Sequence, residues 1–378
     1  MITDPDFTIG IEEEYHLVDV ASGALARDVP ETLISECVGE LGEQVTTEFL
    51  RAQVEIGTKV CRRIGEAREE LKRLRSGVAR IAGRHGLAPV ACSTHPFGDW
   101  REQDYTHKER YEGLARDHQA VARRLLICGM HVHIGIDDPE TRIDLMNQAR
   151  YFLPHLLCLT TSSPFWQGRD TGLNSYRLTV FDSLPRTGLP DRLQSWSEYE
   201  RLVRHMTSSG LLEDGTKIWW DLRPSARFPT LEMRICDVCP DIEDALGVAA
   251  LFQCILRMLF RLRMANQAWR EYSNLLVQEN RWLAQRFGVR SELVDFGKRQ
   301  LVPYGELLDE LIGLVGEDAD ALGCRAEVEH TRKIVARGTS AERQRSVFRQ
   351  AGGDAGADEA LTAVVRDLLE QTLAGTGP

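Results

Sequence analysis

Thr8-Ile9-Gly10-Ile11-Glu12-Glu13-Glu14-Tyr15-His16-Leu17-Val18-Asp19 reads as a β-strand with chemistry on one face. Successive side chains of a strand alternate between its two sides. Ile9, Ile11, Tyr15 and Leu17 fall on an apolar side, and Glu12 and Glu14 on the other. Glu13 breaks the alternation, so it must sit at a sheet margin or meet a partner. Gly129-Met130-His131-Val132-His133 and Leu231-Glu232-Met233-Arg234 have the same form. Residues two apart share a face there too, which sets His131 with His133 and Glu232 with Arg234. Carboxylates with an imidazole suit Mg²⁺ or Mn²⁺, and an arginine beside them suits phosphate. Each pair alone has an ordinary explanation: a solvated strand end, structural histidines, a cross-strand ion pair. Their coincidence in one chain points to a nucleotide-phosphate site.

The rest of the chain frames that reading. Its 378 residues allow one large or two medium domains, and 43% hydrophobic with 27% charged residues is the composition of an ordinary globular protein. A net charge of −11 argues against a sequence-independent nucleic-acid binder. The nine cysteines at 37, 61, 92, 128, 158, 236, 239, 254 and 324 are odd in number and scattered. With no signal peptide recognised, they predict reduced thiols and a cytoplasmic location. Cys236-Asp237-Val238-Cys239 is the one close pair; it lacks the second pair that a zinc knuckle needs, and two semi-buried thiols past a strand is the favoured reading. No apolar run reaches the roughly 18 residues of a membrane helix, so no membrane partner is expected.

Hydrophobic spacing predicts helices over residues 64–85 and 241–267, the latter the longest. A third is expected from Asp138 to about Thr161, kinked or broken at Pro154. Leu87 to Ala91 reads as a short strand. From Asn274 onward the chain reads as mostly helical, broken at Pro303, Gly316, Gly338 and 352–356. No Gly-rich phosphate loop follows any strand. An α+β fold results, one sheet holding the site with helices packed behind it.

Longer motifs make the reading specific. Residues 8–19, Cys92-Ser93-Thr94-His95-Pro96-Phe97-Gly98-Asp99-Trp100, Ser162-Ser163-Pro164-Phe165-Trp166-Gln167-Gly168-Arg169-Asp170-Thr171-Gly172 and Trp219-Trp220-Asp221-Leu222-Arg223-Pro224-Ser225 with Pro229-Thr230-Leu231-Glu232-Met233-Arg234 resemble the bacterial carboxylate–amine ligase family known as glutamate–cysteine ligase type 2. That family is a branch of the glutamine synthetase-like superfamily. The resemblance runs from about residue 7 to about 350 and implies one ligase domain over 1–378, with a weakly matched helical tail from about 353. It also implies a curved, mainly antiparallel sheet around the active site, and a homodimer.

The chemistry implied is ATP-dependent joining of a glutamate-like carboxylate to cysteine or another amine, through an acyl phosphate, giving ADP and phosphate. Such a reaction needs divalent metal, an arginine near the γ-phosphate and exclusion of water, but no nucleophilic side chain. Carried over from the resemblance, Glu14, Glu48 and Glu55 hold one metal, and Glu12, His131 and Glu232 a second. His133 lies beside the nucleotide and Arg234 contacts the transferring phosphate, so that Arg234 and Glu232 are the catalytic candidates. In one unbroken strand, positions 48 and 55 face opposite ways, so Glu48 needs a turn near Arg51-Ala52. Arg169, Arg177 and Arg223 are the candidates for the substrate carboxylate. Trp166, Trp219 and Trp220 are candidates for a pocket wall, though core is the usual place for such rings, and His95 is an alternative support residue. Rival readings are a phosphotransferase of the guanido-kinase type, a hydrolase binding zinc through His131 and His133, and a binding protein that has lost the chemistry.

Overall fold

The structure is a computed structural model that describes residues 4–106 and 109–375. Seven strands form one sheet: β1 (Ile9–Asp19), β2 (Val45–Thr47), β3 (Gln53–Gly57), β4 (Leu87–Val90), β5 (Met130–Gly135), β6 (Leu222–Pro224) and β7 (Thr230–Met233). Their order is β6-β7-β5-β1-β3-β2, with β4 beside the second half of β1. Every pairing is antiparallel. Glu12 stands opposite His131 on one side and Gly57 on the other, Glu14 opposite Glu55, and Glu232 opposite His133 and Arg223. Directly opposed residues project to the same side. The three segments singled out from sequence therefore present their polar residues on one face.

The other face is the core. Ile9, Ile11, Tyr15, Leu17, Val54, Ile56, Met130, Val132, Ile134, Leu231 and Met233 are all buried. Helices α1 (Ile64–Gly83), α2 (Pro139–Ala149), α3 (Leu153–Thr160) and α4 (Ile242–Met264) share this cluster. Glu13 finds its partner here, not a sheet margin. Its carboxylate accepts bonds from Arg75 of α1 at 2.6 and 2.9 Å and from the Tyr15 hydroxyl, all of it buried. Arg75 also donates to the carbonyls of Cys239 and Pro240, so a fully satisfied ion pair ties α1 to β1.

The long helix expected from Asp138 is two. α2 ends at Ala149, a 3₁₀ turn covers Arg150–Phe152, and α3 carries Pro154 in its first turn. The break falls before the proline because a first turn has no backbone partner for the missing N–H. The expectation that no apolar run could span a membrane is corrected by α4, which over 23 residues is long and apolar enough by length and composition. Its arginines lie toward the C-terminal end, and most of its residues are buried inside the fold.

The C-terminal half adds helices α5 (Asn274–Phe287), α6 (Arg325–Arg337), α7 (Ser340–Gln350) and α8 (Ala357–Leu373). It also holds a hairpin, Glu292–Asp295 with Gln300–Pro303, that the helical reading missed. The last helix, α8, is packed in place: Leu361, Val364 and Leu368 are buried against Val18, Val90 and Phe165.

Candidate active site

The polar face of the sheet floors a cavity of about 290 Å³ lined by Glu12, Glu14, Glu48, Glu55, His131, His133, Arg177, Arg223, Glu232 and Arg234. Of the eleven sequence candidates, ten line it; only Arg169 does not. The chain turns at Arg51-Ala52 between β2 and β3, where the Gln53 N–H bonds back to the Leu50 carbonyl. That reversal is the one Glu48 required, and it turns Glu48 toward Glu55.

Two ligand-like triads result: Glu12 with His131 and Glu232, and Glu14 with Glu48 and Glu55. Within each, one donor atom per residue lies within 4.8 Å of the others. His131 stands between them, its Nδ1 3.2 Å from Glu12 and its Nε2 3.8 Å from Glu14. That Nε2 is buried and makes no hydrogen bond. Burial and Arg234 push the imidazole down to about 4, so the ring is neutral at neutral pH and one ring nitrogen offers a lone pair.

The all-carboxylate triad is the electrostatic anomaly of the molecule. Glu14 is pushed up to about 8 by burial and by Glu48, and Glu55 is also held well above the usual range by burial, Glu48 and Glu12. Glu14 accepts the Gly129 N–H at 2.7 Å, and Glu48 the Phe49 N–H at 3.2 Å. Three half-buried acids held together fit a hard divalent ion with oxygen ligands. The first triad differs in charge. Glu12 is held well below the usual range because its bonds to His131 and His133 outweigh burial. Glu232 is also lowered, since Arg234 and Arg223 outweigh its burial.

The arginines divide the work. Arg223 meets Glu232 through Nε at 2.9 Å and Nη2 at 3.1 Å, and its Nη1 serves the Thr216 and Ile218 carbonyls. Its donors are largely spent on holding Glu232, which leaves it a poor reader of substrate. Arg234 bonds Glu232 and lies 3.3 Å from His131, while its buried Nε has no acceptor. Arg177 rests on the carbonyls of Ile235 and Arg234 at 3.3 and 3.2 Å, and its Nε is likewise buried without an acceptor. Gly129 makes room for it, because a Cβ there would stand 2.3 Å from Arg177 Nη2. Arg169 lies on the exposed two-residue strand Arg169–Asp170. Arg177→Ala is therefore expected to raise KM for the acid substrate at least about tenfold, and Arg169→Ala to leave it unchanged. Steady-state kinetics giving the reverse order would reassign the carboxylate site.

His133 bonds the Thr230 hydroxyl through Nδ1 at 2.9 Å and packs edge-on to Phe228. Thr230 and Phe228 escaped the sequence reading, although Thr230 is two residues from Glu232 and so shares its face. Trp219 lines the cavity, whereas Trp166 and Trp220 are core residues. His95 is buried and structural, with Nε2 3.0 Å from the Gly23 carbonyl. Each triad holds at most one histidine, so among the described residues no ligand-like group joins His131 with His133 as the zinc reading needs.

Comparison with known proteins gives the family and the fold. A protein of Rhodospirillum rubrum, provisionally named glutamate–cysteine ligase 2, is 58% identical over 99% of this chain and 97% of its own. One from Jannaschia with the same name is 54% identical over 97% of each. Among solved structures, the glutamate–cysteine ligase of Francisella tularensis in complex with AMP superposes with a TM-score of 0.69 at 14% identity, covering 99% of this chain and 94% of that one. A bifunctional glutathione synthetase from Pasteurella multocida gives 0.67 at 15% identity, over 97% of this chain and 53% of that one. These two establish a shared α+β fold. The model of glutamate–cysteine ligase family 2 matches residues 8–366, and the chain belongs to that family of ATP-dependent carbon–nitrogen ligases.

Proposed function

We propose that the protein joins the carboxylate of a glutamate-like amino acid to an amine, cysteine or another amino compound, through an acyl phosphate formed from ATP. The observation that carries this reading is the pair of triads in one cavity, flanked by two arginines with unspent buried donors. Mg²⁺ or Mn²⁺, when bound, would neutralise the triphosphate and the transferring phosphoryl group; Glu14, Glu48 and Glu55 would hold one ion, and Glu12, His131 and Glu232 another. Arg234 stabilises charge that develops on the transferring phosphate, with its guanidinium oriented by Glu232. Glu232 is oriented in turn by Arg223. Arg177 is the carboxylate clamp, and His133, set by Thr230, lies on the nucleotide side. A guanido-kinase-like reaction would make ADP without an amine. Screening acid and amine pairs by phosphate release, with product masses, tests the proposal, and a phosphorylated end product with no amide from any pair overturns it.

Metal dependence has a signature in stability. Burial and Glu48 push the Glu14 carboxyl up to about 8 in the metal-free fold, against 4.5 for an ordinary glutamate. A raised carboxyl contributes stability that is complete below the unfolded value and is lost as pH rises through the folded one. Metal replaces the protons. The rise in Tm given by Mn²⁺ over chelator should therefore grow from about pH 5.5 to about pH 8. A shift of equal size across that range, or activity that survives chelation, contradicts the assignment.

A further inference from the structure

We propose that Cys254 and Cys324 form a redox pair, which a peroxide joins into a disulfide tying α4 to the C-terminal helices. Their sulfurs lie 3.4 Å apart although the residues are 70 apart in sequence. Among the described residues no other two of the nine cysteines are in sulfur contact. Cys236, close to Cys239 in sequence, instead packs its sulfur on Met233.

The backbone on both sides of the pair is pinned. α4 and α6 are so close that a Cβ on Gly247 would come 3.0 Å from the Glu327 carbonyl. Cys324 is the N-cap residue of α6, and its N–H donates to the Ala319 carbonyl at 2.9 Å. Six residues earlier, fully buried Asp318 receives Arg257 at 2.6 Å and Arg261 at 2.9 Å, both from α4. A disulfide needs sulfurs about 2.05 Å apart, so the thiols must close by a short movement between elements already fixed together.

The two sulfurs are not equivalent. The contact with Cys254, with the backbone at the helix start, lowers the Cys324 pKa, whereas that contact and burial raise Cys254. The Cys324 thiolate attacks one peroxide oxygen; the O–O bond breaks, hydroxide leaves and takes up a proton, and the sulfur becomes a sulfenic acid. Cys254 sulfur then attacks Cys324 sulfur. The S–S bond forms, the S–O bond breaks, and the hydroxide leaves as water with the Cys254 proton. Two thiols and one peroxide give one disulfide and two waters, the two electrons passing from sulfur to oxygen. Both thiols are buried, so a small oxidant is required.

The test treats the full-length protein with a modest excess of hydrogen peroxide, alkylates it under denaturing conditions and maps its peptides without reduction. The expected result is a Cys254–Cys324 cross-linked peptide two hydrogens lighter than its parts, with the other seven cysteines alkylated. Tm should rise by about 5 °C, because the link constrains a long loop in the unfolded chain, and dithiothreitol should reverse it. Cys324→Ser and Cys254→Ser should each abolish the shift; the wild-type map decides the matter if a variant fails to fold. Alkylation of all nine cysteines after peroxide, a different cross-link, or Cys324 recovered as sulfinic acid with Cys254 free, would overturn the proposal.

Discussion

Glu55→Gln is expected to abolish turnover and, at the same time, to raise the melting temperature of the metal-free protein. The two effects have one cause. Glu55 sits opposite both Glu14 and Thr46 in the sheet, with its carboxyl held well above the usual range by burial, Glu48 and Glu12. The neutral amide keeps the side-chain volume and removes an acid that the fold must bury among acids. Metal-free stability should rise by a few degrees. Turnover should fall by at least about 10²–10³-fold, the scale of losing one electrostatic stabiliser in a closed site. Kinetics and thermal melts in chelator check both halves. A variant with normal turnover would make Glu55 a bystander, and a lower metal-free Tm would make it a structural residue.

Arg75→Met is expected to be the most damaging single change to the fold. Arg75 is 1% exposed and Glu13 fully buried, and the pair joins α1 to the strand that carries Glu12 and Glu14. Removing one partner leaves an uncompensated charge under the sheet, a loss of about 3–5 kcal/mol. Adding Glu13→Gln to Arg75→Met should return at least half of that, since the stranded charge goes too. Urea denaturation measures both. A loss below about 1 kcal/mol in the single variant would mean that water reaches Glu13 and that the pair is not structural.

These two cases mark what sequence could and could not yield. The strand around Glu12 and the faces shared by His131/His133 and Glu232/Arg234 were legible because side-chain alternation is a local property. Which strands lie side by side is not local, and for Glu14, Glu48 and Glu55 the grouping came from family resemblance. The partner of Glu13 lay 62 residues away on a helix whose apolar stripe gave no hint of a buried arginine. Arg223 reads from sequence as a substrate ligand because its opposition to Glu232 emerges only with the β6–β7 register. Arg169 and Arg177 share one motif, yet only Arg177 enters the cavity, and nothing in their spacing separates them. The 292–303 hairpin was missed because its two strands are four residues each, too short for a period to stand out among helices.

The central claim is that ATP activates the acid as an acyl phosphate in this cavity, with Arg234 stabilising the transfer. The most direct measurement follows ¹⁸O from a doubly labelled substrate carboxylate into the products. The account predicts ADP, and inorganic phosphate carrying one labelled oxygen per amide formed, because the bond between that oxygen and the acyl carbon breaks when the amine attacks. AMP with pyrophosphate would indicate adenylation, and unlabelled phosphate alongside an amide would exclude the acyl phosphate; either result would contradict the account.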